Sequence, residues 1–204
     1  MTTARGKSPV RDNRSRDASF VTVIGGANID IHGTSTRAWQ ANDANPGTVH
    51  VSAGGVARNI AENLVRLGVD CRLITAVGDD HNGRTLMQLS YEAGIDTQYV
   101  QQIASAQTST YLSVIDASGD MVVAIADMDI IDQLTPEKLR PYQSMLHQSS
   151  LIMLDTNLPD SAFAWLAREF AEQTLFVDTV STAKAPRIKA HLGSVHTLKT
   201  SAIE

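Results

Sequence analysis

Phe20-Val21-Thr22-Val23-Ile24-Gly25-Gly26-Ala27-Asn28-Ile29-Asp30 opens the folded part of the chain and indicates its architecture. The first five residues are mostly β-branched or aromatic and predict a strand that is buried on both faces. Two glycines end that strand and let the backbone approach a ligand closely. Asn28 and Asp30 follow two residues apart, and an amide and a carboxylate in that arrangement can bind neighbouring hydroxyl groups. The same pair is also compatible with an ordinary strand end, so this stretch alone leaves both interpretations open.

Strands and helices alternate through the rest of the chain. The apolar spacing predicts helices over 56–67, 83–93, 136–146 and 161–172, and strands over 72–77, 99–103, 151–154 and 175–177. Repeated βαβ units of this kind predict an α/β fold with a mostly parallel sheet between two layers of helices.

Two regions do not follow that alternation. Residues 29–51 contain no helical pattern, and residues 110–115 and 121–125 flank the turn 116–120 as in a β-hairpin. These regions predict a small extra β-layer attached to the main sheet.

Composition excludes several classes of protein. The 204 residues carry a formal net charge of −5, with 43% hydrophobic and 19% charged residues, which is typical of a globular domain and not of a disordered chain. No apolar run approaches the ~20 residues that a transmembrane helix needs. The single cysteine, Cys71, lies in an apolar stretch and is expected to be a buried thiol, and the scattered histidines argue against a zinc site. The N-terminus lacks the apolar core of a signal peptide, so we expect a cytoplasmic protein.

Residues 1–19 differ from the rest of the chain, because they hold five basic and two acidic residues and almost no apolar side chains. We expect them to form a disordered basic leader that precedes a domain of residues 20–204. Such a leader could be an arm that contacts nucleic acid or a solvated extension. The remaining chain is acidic, which argues against nucleic acid as a partner and favours the solvated extension.

Two further polar clusters lie beside predicted strands and helices. Ser52–Asn59 holds the pair Gly54-Gly55 directly before a predicted helix, with Asn59 in its first turn. It lacks the Lys-Ser/Thr ending of a Walker A loop, and on its own it is no more than a turn. Asp155-Thr156-Asn157 follows the strand predicted over 151–154. Because ligands of open α/β sheets bind beyond the carboxyl ends of the strands, the three clusters together predict a site for a small polyhydroxylated molecule.

With these motifs the chain resembles the ribokinase-like (PfkB) sugar and nucleoside kinases. Three segments carry the resemblance: Asn28-x-Asp30 after the first strand, Gly54-Gly55-x-x-x-Asn59, and Ala76-Val77-Gly78-Asp79-Asp80-x-x-Gly83. Within the family the resemblance is greatest to its pseudouridine kinases, through stretches such as Asn45-Pro46-Gly47 and Val123-Ala124-Ile125-x-Asp127-Met128. It spans about residues 20–204 and implies a ribokinase-like fold, a mostly parallel three-layer α/β sheet with a small β-lid formed by about 29–51 and 108–127.

The resemblance also implies a reaction and roles for individual residues. The reaction is transfer of the γ-phosphate of ATP, with Mg²⁺, to the 5′-hydroxyl of pseudouridine, in a protein that pairs through its lid as a homodimer. The residues that would hold the ribosyl hydroxyls are Asn28, Asp30, Gly54, Gly55 and Asn59, with Asp155 against the sugar from another strand. Thr110 and Asp127 would contact the uracil edge, and Lys184 would approach the ligand or the phosphates. Thr110 is equally typical of an ordinary strand, and Lys184 of a solvated helix start.

The chain departs from the family pattern near residue 204. Where the family has Asn-x-x-Glu, it reads Ser201-Ala202-Ile203-Glu204, and the resemblance would place Lys199 and Glu204 near the nucleotide, with Glu204 acting indirectly on Mg²⁺. The Gly-Ala-Gly-Asp segment with the catalytic base and the adenine pocket would lie beyond Glu204. We therefore expect a fold that is incomplete at its C-terminus and a chain that is inactive alone. The alternatives are a kinase for another nucleoside or for ribose, and a truncated, non-catalytic binding protein.

Overall fold

The structure is a computed structural model that describes residues 19–204. The basic leader predicted over residues 1–19 lies, apart from Ser19, outside the described residues. No helix among the described residues is long and apolar enough to cross a membrane.

The described residues form alternating strands and helices. The strands are β1 (Phe20–Ile24), β2 (Asn28–Ser35), β3 (Gly47–Gly54), β4 (Asp70–Ile74), β5 (Ala76–Gly78), β6 (Gln101–Ile103), β7 (Thr110–Ile115), β8 (Met121–Asp127), β9 (Leu151–Asp155), β10 (Leu175–Asp178) and β11 (Thr197–Lys199). The α-helices are α1 (Val56–Arg66), α2 (His81–Glu92), α3 (Pro136–Leu139), α4 (Gln143–His147) and α5 (Asp160–Glu169). Short 3₁₀ helices cover Asp129–Gln133, Arg140–Tyr142 and Ala185–Ser194.

The central sheet has the strand order β11-β10-β9-β1-β4, and every pair in it is parallel. All five residues of β1 are buried. Val21 and Val23 pack with Ala57 of α1 on one face of the sheet, and Ile24 belongs to the larger cluster on the other face, which includes Phe163 of α5. The opening run is therefore buried on both faces, as its β-branched composition predicts.

A second sheet, which we call the lid sheet, has the order β3-β2-β7-β8. The pairs β2–β3 and β7–β8 are antiparallel, and β2–β7 is parallel. Near the start of β2, Ile29 packs with Val77 of β5 and Leu86 of α2. The regions that break the βαβ alternation in the sequence thus pair with one another.

Two predicted elements differ from the observed ones. The strand predicted over 72–77 is divided at Thr75, and its second half, β5, pairs with β6 in a separate two-stranded sheet. The helix predicted over 136–146 is divided into α3, a 3₁₀ turn and α4. The interruption contains Pro141, which has no N–H for the helical ladder and whose ring crowds the preceding turn.

Cys71 lies in β4 and is 4% exposed. Burial, with a smaller contribution from the nearby Asp96 carboxylate, raises the pKa of its thiol to about 12. The thiol is therefore protonated at neutral pH and packed in the core, as expected from its apolar sequence context.

Cys71 should report on unfolding. The thiolate is the reactive species of a cysteine. At pH 8 the Cys71 thiol of the native protein should therefore react with a thiol reagent at least about a hundredfold more slowly than that of the unfolded chain. Stopped-flow absorbance with a chromogenic disulfide, with and without denaturant, measures both rates. Equal rates in the two conditions would show that the thiol is accessible in the native fold.

Candidate functional site

A cavity of about 530 Å³ lies between the carboxyl ends of the central strands and the lid sheet. We call it the main cavity. It is lined by Gly26, Ala27, Asn28, Asp30, His32, Gly55, Val56, Asn59, Ser109, Tyr111, Ala126, Met128, Ile131, Asn157, Val180, Ser181 and Lys184. Five residues predicted from the sequence to bind substrate are in this lining, namely Asn28, Asp30, Gly55, Asn59 and Lys184. The three polar clusters of the sequence therefore converge on one space.

Asn28 and Asp30 form a hydrogen-bonded pair at the start of β2. The Asn28 amide donates to Asp30 Oδ1 at 2.6 Å, and Asn28 is 6% exposed. Gly54, opposite Asn28 in β3, leaves room for this carboxylate, because a Cβ at position 54 would lie 2.0 Å from Asp30 Oδ2. Gly54 does not line the cavity, and its role is to accommodate Asp30. The arrangement fixes a carboxylate whose remaining lone pairs can accept hydroxyl protons.

Asn59 reaches the cavity from the first turn of α1. Gly55 precedes the helix with a φ of 96°, and a Cβ there would lie 2.4 Å from the Ala27 Cα, so the helix start touches the backbone that follows β1. Arg58, which is 6% exposed, donates to Asn59 Oδ1 at 3.2 Å and forms an ion pair with Glu62. The Asn59 oxygen already accepts a hydrogen bond from Arg58, so the Asn59 NH₂ group is the one that can donate to a ligand.

Asp155 has a different place from the one expected. It is fully buried, and it accepts hydrogen bonds at 2.9 Å from three backbone N–H groups: those of Gly26 and Ala57 to Oδ2, and that of Asn157 to Oδ1. Asp155 is predicted from the sequence to lie against the sugar, whereas in the structure its acceptor sites are directed into the protein and it does not line the main cavity. The bond to Ala57 also satisfies a free N–H of the first turn of α1, so that turn is less open to an anion than its glycine pair indicates. Burial raises the pKa of Asp155, and the N–H donors oppose that shift.

Asn157, two residues further on, lines the cavity in place of Asp155. The Lys184 ammonium donates to Asn157 Oδ1. Burial lowers the pKa of Lys184, and the charge of Asp155 opposes the change. The sequence pattern singles out the cluster 155–157 and favours its acid as the ligand-binding group. Burial of the end of β9 makes the amide of Asn157 the more exposed member of the cluster.

The residues by which the lid sheet lines the main cavity differ from those predicted. Side chains alternate between the two faces of a strand, and Asp30 of β2 is paired with Tyr111 of β7, which is paired with Ala126 of β8. Thr110 and Asp127 are one residue away from Tyr111 and Ala126 and point to the opposite face. Thr110 accordingly hydrogen-bonds Asn82 of α2, and neither residue lines the main cavity. The structure thus places both of the residues predicted to contact a uracil edge outside the lining of the main cavity.

Lys199 and Glu204 lie beside the ends of β10 and β11. Lys199 Nζ is 2.9 Å from Asp178 Oδ2, and this bond and charge raise the pKa of the lysine. Asp178 also accepts from the backbone N–H of Val180, a cavity residue with a φ of 62°, which is rare for a β-branched side chain. Neither Lys199 nor Glu204 lines the main cavity.

The Glu204 carboxylate already has hydrogen-bonding partners among the described residues. The Glu204 carboxylate is bound by the Thr179 hydroxyl and by the Ser201 N–H. Within residues 19–204 no group of three or more His, Cys, Asp or Glu residues could hold a metal ion. Mg²⁺ is usually held by one or two carboxylates together with waters and substrate phosphates, so the role predicted for Glu204 beside Mg²⁺ stays a prediction.

Comparison with known proteins identifies relatives of this fold and site. The model of the pfkB family of carbohydrate kinases matches residues 18–204. The pseudouridine kinase of Escherichia coli K12 is 36% identical over 189 residues, which cover 93% of this chain and 60% of that protein. The uncharacterized sugar kinase YeiI of the same strain is 37% identical over 183 residues, covering 90% of this chain and 51% of that protein. This chain therefore spans between half and three fifths of the length of these two relatives.

Two solved structures confirm the predicted ribokinase-like fold. A carbohydrate kinase from Agrobacterium tumefaciens superposes with a TM-score of 0.83 at 31% identity, over 88% of this chain and 60% of that one. The ribokinase of Arabidopsis thaliana superposes with a TM-score of 0.78 at 19% identity, over 90% of this chain and 60% of that one.

Asp155 should be essential for stability. In Asp155→Ala three buried N–H groups lose their acceptor, at about 1–3 kcal/mol for each group left unpaired. We expect a loss of at least about 3 kcal/mol in the free energy of unfolding, measured by urea denaturation. The control is Glu172→Ala, an exposed acid, which should change it by less than about 0.5 kcal/mol. A loss at Asp155 as small as that of the control would contradict the assignment.

Proposed function

Because the chain belongs to the pfkB family of carbohydrate kinases, we propose that it forms the acceptor side of an ATP-dependent kinase that phosphorylates the 5′-hydroxyl of pseudouridine. The observation that carries this proposal is the convergence of Asn28, Asp30 and Asn59 on one cavity at the strand ends. The 36% identity to a pseudouridine kinase supports the choice of acceptor.

The cavity residues have complementary hydrogen-bonding roles toward a ribosyl group. Asp30 accepts from two neighbouring hydroxyls, and the Asn59 amide donates to one of their oxygens. Arg58 and Asn28 hold these two groups in place through the bonds described above. A carboxylate and an amide preset in this way reduce the entropy lost when the sugar is oriented for reaction.

The lid sheet excludes water in this proposal. Bound ATP supplies the phosphoryl group, and a kinase must keep that group from water while the acceptor hydroxyl is in place. The segments 29–51 and 108–127 supply the lid strands, and Asp30, Tyr111 and Ala126 on one face of the sheet line the cavity. We assign no proton acceptor for the 5′-hydroxyl among residues 19–204.

A kinase for another sugar or nucleoside is the second candidate. The observation that favours it is the 37% identity to a sugar kinase, which is as high as the identity to the pseudouridine kinase. A free sugar would use the same carboxylate and amides, so the acceptor has to be identified by direct comparison of ligands.

We also propose that two copies associate through the outer face of the lid sheet. This face is opposite to Asp30, and its aliphatic side chains are exposed: Val49, Val51, Leu112, Val123 and Ile125. Exposed apolar surface of this extent on neighbouring strands is typical of an interface. An apolar patch needs no complementary charge, so the same patch on a second copy can cover it.

The acceptor site is tested by Asp30→Ala. Loss of hydrogen bonds to a carboxylate should weaken pseudouridine binding by about ten- to a hundredfold in titration calorimetry. Asp127→Ala, an exposed acid on the outer face of the lid, is the matched control and should bind within about twofold of the parent. Transfer of label from γ-labelled ATP to pseudouridine, with D-ribose in parallel, identifies the acceptor. Equal effects of the two substitutions would refute the assignment of Asp30, and preference for ribose would favour the second candidate.

The interface is tested by Ile125→Lys. A buried lysine in an apolar contact should shift the protein toward monomer in sedimentation velocity. Leu67→Lys, at the C-terminal end of α1 and 80% exposed, is the control and should leave the association unchanged. A parent protein that sediments as a monomer at every concentration would contradict the proposal.

A further inference from the structure

The cavity-facing side of the lid sheet is arranged in two rows. The register places Ser52, Asp30, Tyr111 and Ala126 side by side in the first row, and His50, His32, Ser113 and Ala124 in the second. The second row lies two residues further along β2, which is about 7 Å. A group held by His32 is therefore separate from a hydroxyl held by Asp30.

His32 has a fixed ring with one nitrogen left for a ligand. Its Nδ1 is 2.6 Å from the Ser113 hydroxyl, and Ser113 is only 3% exposed. If the serine hydroxyl donates to Nδ1, Nε2 of the neutral ring carries the proton and can donate to a ligand, and if the serine accepts from Nδ1–H, Nε2 can accept. His32 lines the main cavity, so this nitrogen is available to the edge of a molecule bound there.

Tyr111 adds an aromatic surface beside His32. The two ring centroids are 6.3 Å apart with an interplanar angle of 66°. Tyr111 lines the main cavity. Its hydroxyl contacts Met121 Sδ at 3.8 Å, and Met121 is not part of the cavity lining. Ala126, Met128 and Ile131 are the apolar neighbours of this surface in the lining. We call His32 and Tyr111 together the aromatic wall.

The main cavity thus has two chemically different parts. The part formed by Asn28, Asp30 and Asn59 binds hydroxyls, and the aromatic wall suits a flat ring that stacks on aromatic side chains and offers a hydrogen-bonding edge. A free pentose has hydroxyls around its ring and no flat face, so it would leave the wall in contact with water. A pentose joined to a heterocyclic base matches both parts.

We propose that His32 and Tyr111 bind the base of a nucleoside acceptor, and that Ser113 positions the His32 ring for a hydrogen bond to the edge of that base. The inference rests on the proposed function and adds to it the residues that distinguish a nucleoside acceptor from a free sugar. These residues replace Thr110 and Asp127, which face away from the cavity.

The test compares the affinities of variants for pseudouridine and for D-ribose by titration calorimetry. His32→Ala should weaken pseudouridine binding by about tenfold and change ribose binding by less than about twofold. Ser113→Ala should weaken pseudouridine binding by about threefold, because the ring loses its fixed orientation. His32→Phe keeps an aromatic ring and is included in case His32→Ala fails to fold. Its affinity for pseudouridine should lie between those of the parent and His32→Ala. His50→Ala is the matched control, because His50 is the cross-strand neighbour of His32 but does not line the cavity, and both affinities should be unchanged.

The outcomes separate this inference from the function on which it rests. If Asp30→Ala weakens both ligands while His32→Ala weakens neither, or weakens both equally, the hydroxyl site stands and the base-binding role of the aromatic wall is refuted. If the parent protein binds neither ligand, the proposed function is refuted and the inference with it. A loss confined to pseudouridine in the His32 and Ser113 variants supports the inference.

Discussion

One buried carboxylate joins the parts of the molecule that form the site. Asp155, at the end of β9, accepts hydrogen bonds from the turn after β1, from the first turn of α1 and from its own chain two residues on. The first two partners are 129 and 98 residues away in sequence, so these bonds set the relative position of segments that the chain alone does not connect. Asn28 and Asp30 follow the first of these segments, Asn59 belongs to the second, and Asn157 to the third. The positions of the ligand-facing groups therefore depend on an acid that does not itself face the ligand.

The sequence was most informative where one local pattern determines the structure. The β-branched run at 20–24 predicts the buried strand that the structure contains, and the helix at 56 begins directly after the glycine pair as predicted. Both predictions depend on apolar character and backbone freedom, which are properties of the residues themselves. The division of the helix at 136–146 could also have been found, since Pro141 lies within it. The resemblance to a kinase family rested on short motifs of this same local kind.

Other features depend on which face of an element a residue occupies, and the sequence does not fix that. Thr110 and Tyr111 are neighbours, and a strand places them on opposite faces, so the correct choice needs the register with β2. His32 could have been proposed from alternation alone, because it lies two residues after Asp30. Asp155 and Asn157 are equally polar, and only the depth of β9 in the sheet decides that the acid is buried and the amide lines the cavity.

Two of the connections between the lid sheet and the rest of the fold have a mechanical consequence. Gly25, Gly26 and Ala27 connect β1 to β2, and Gly55 connects β3 to α1, and three of these four residues line the main cavity. A rotation of the lid sheet about these connections would therefore move residues that line the main cavity. A molecule bound in the main cavity would contact both connections, so its binding would be coupled directly to the angle between the two sheets. An acceptor that fills only half of the cavity would restrain only one of the connections.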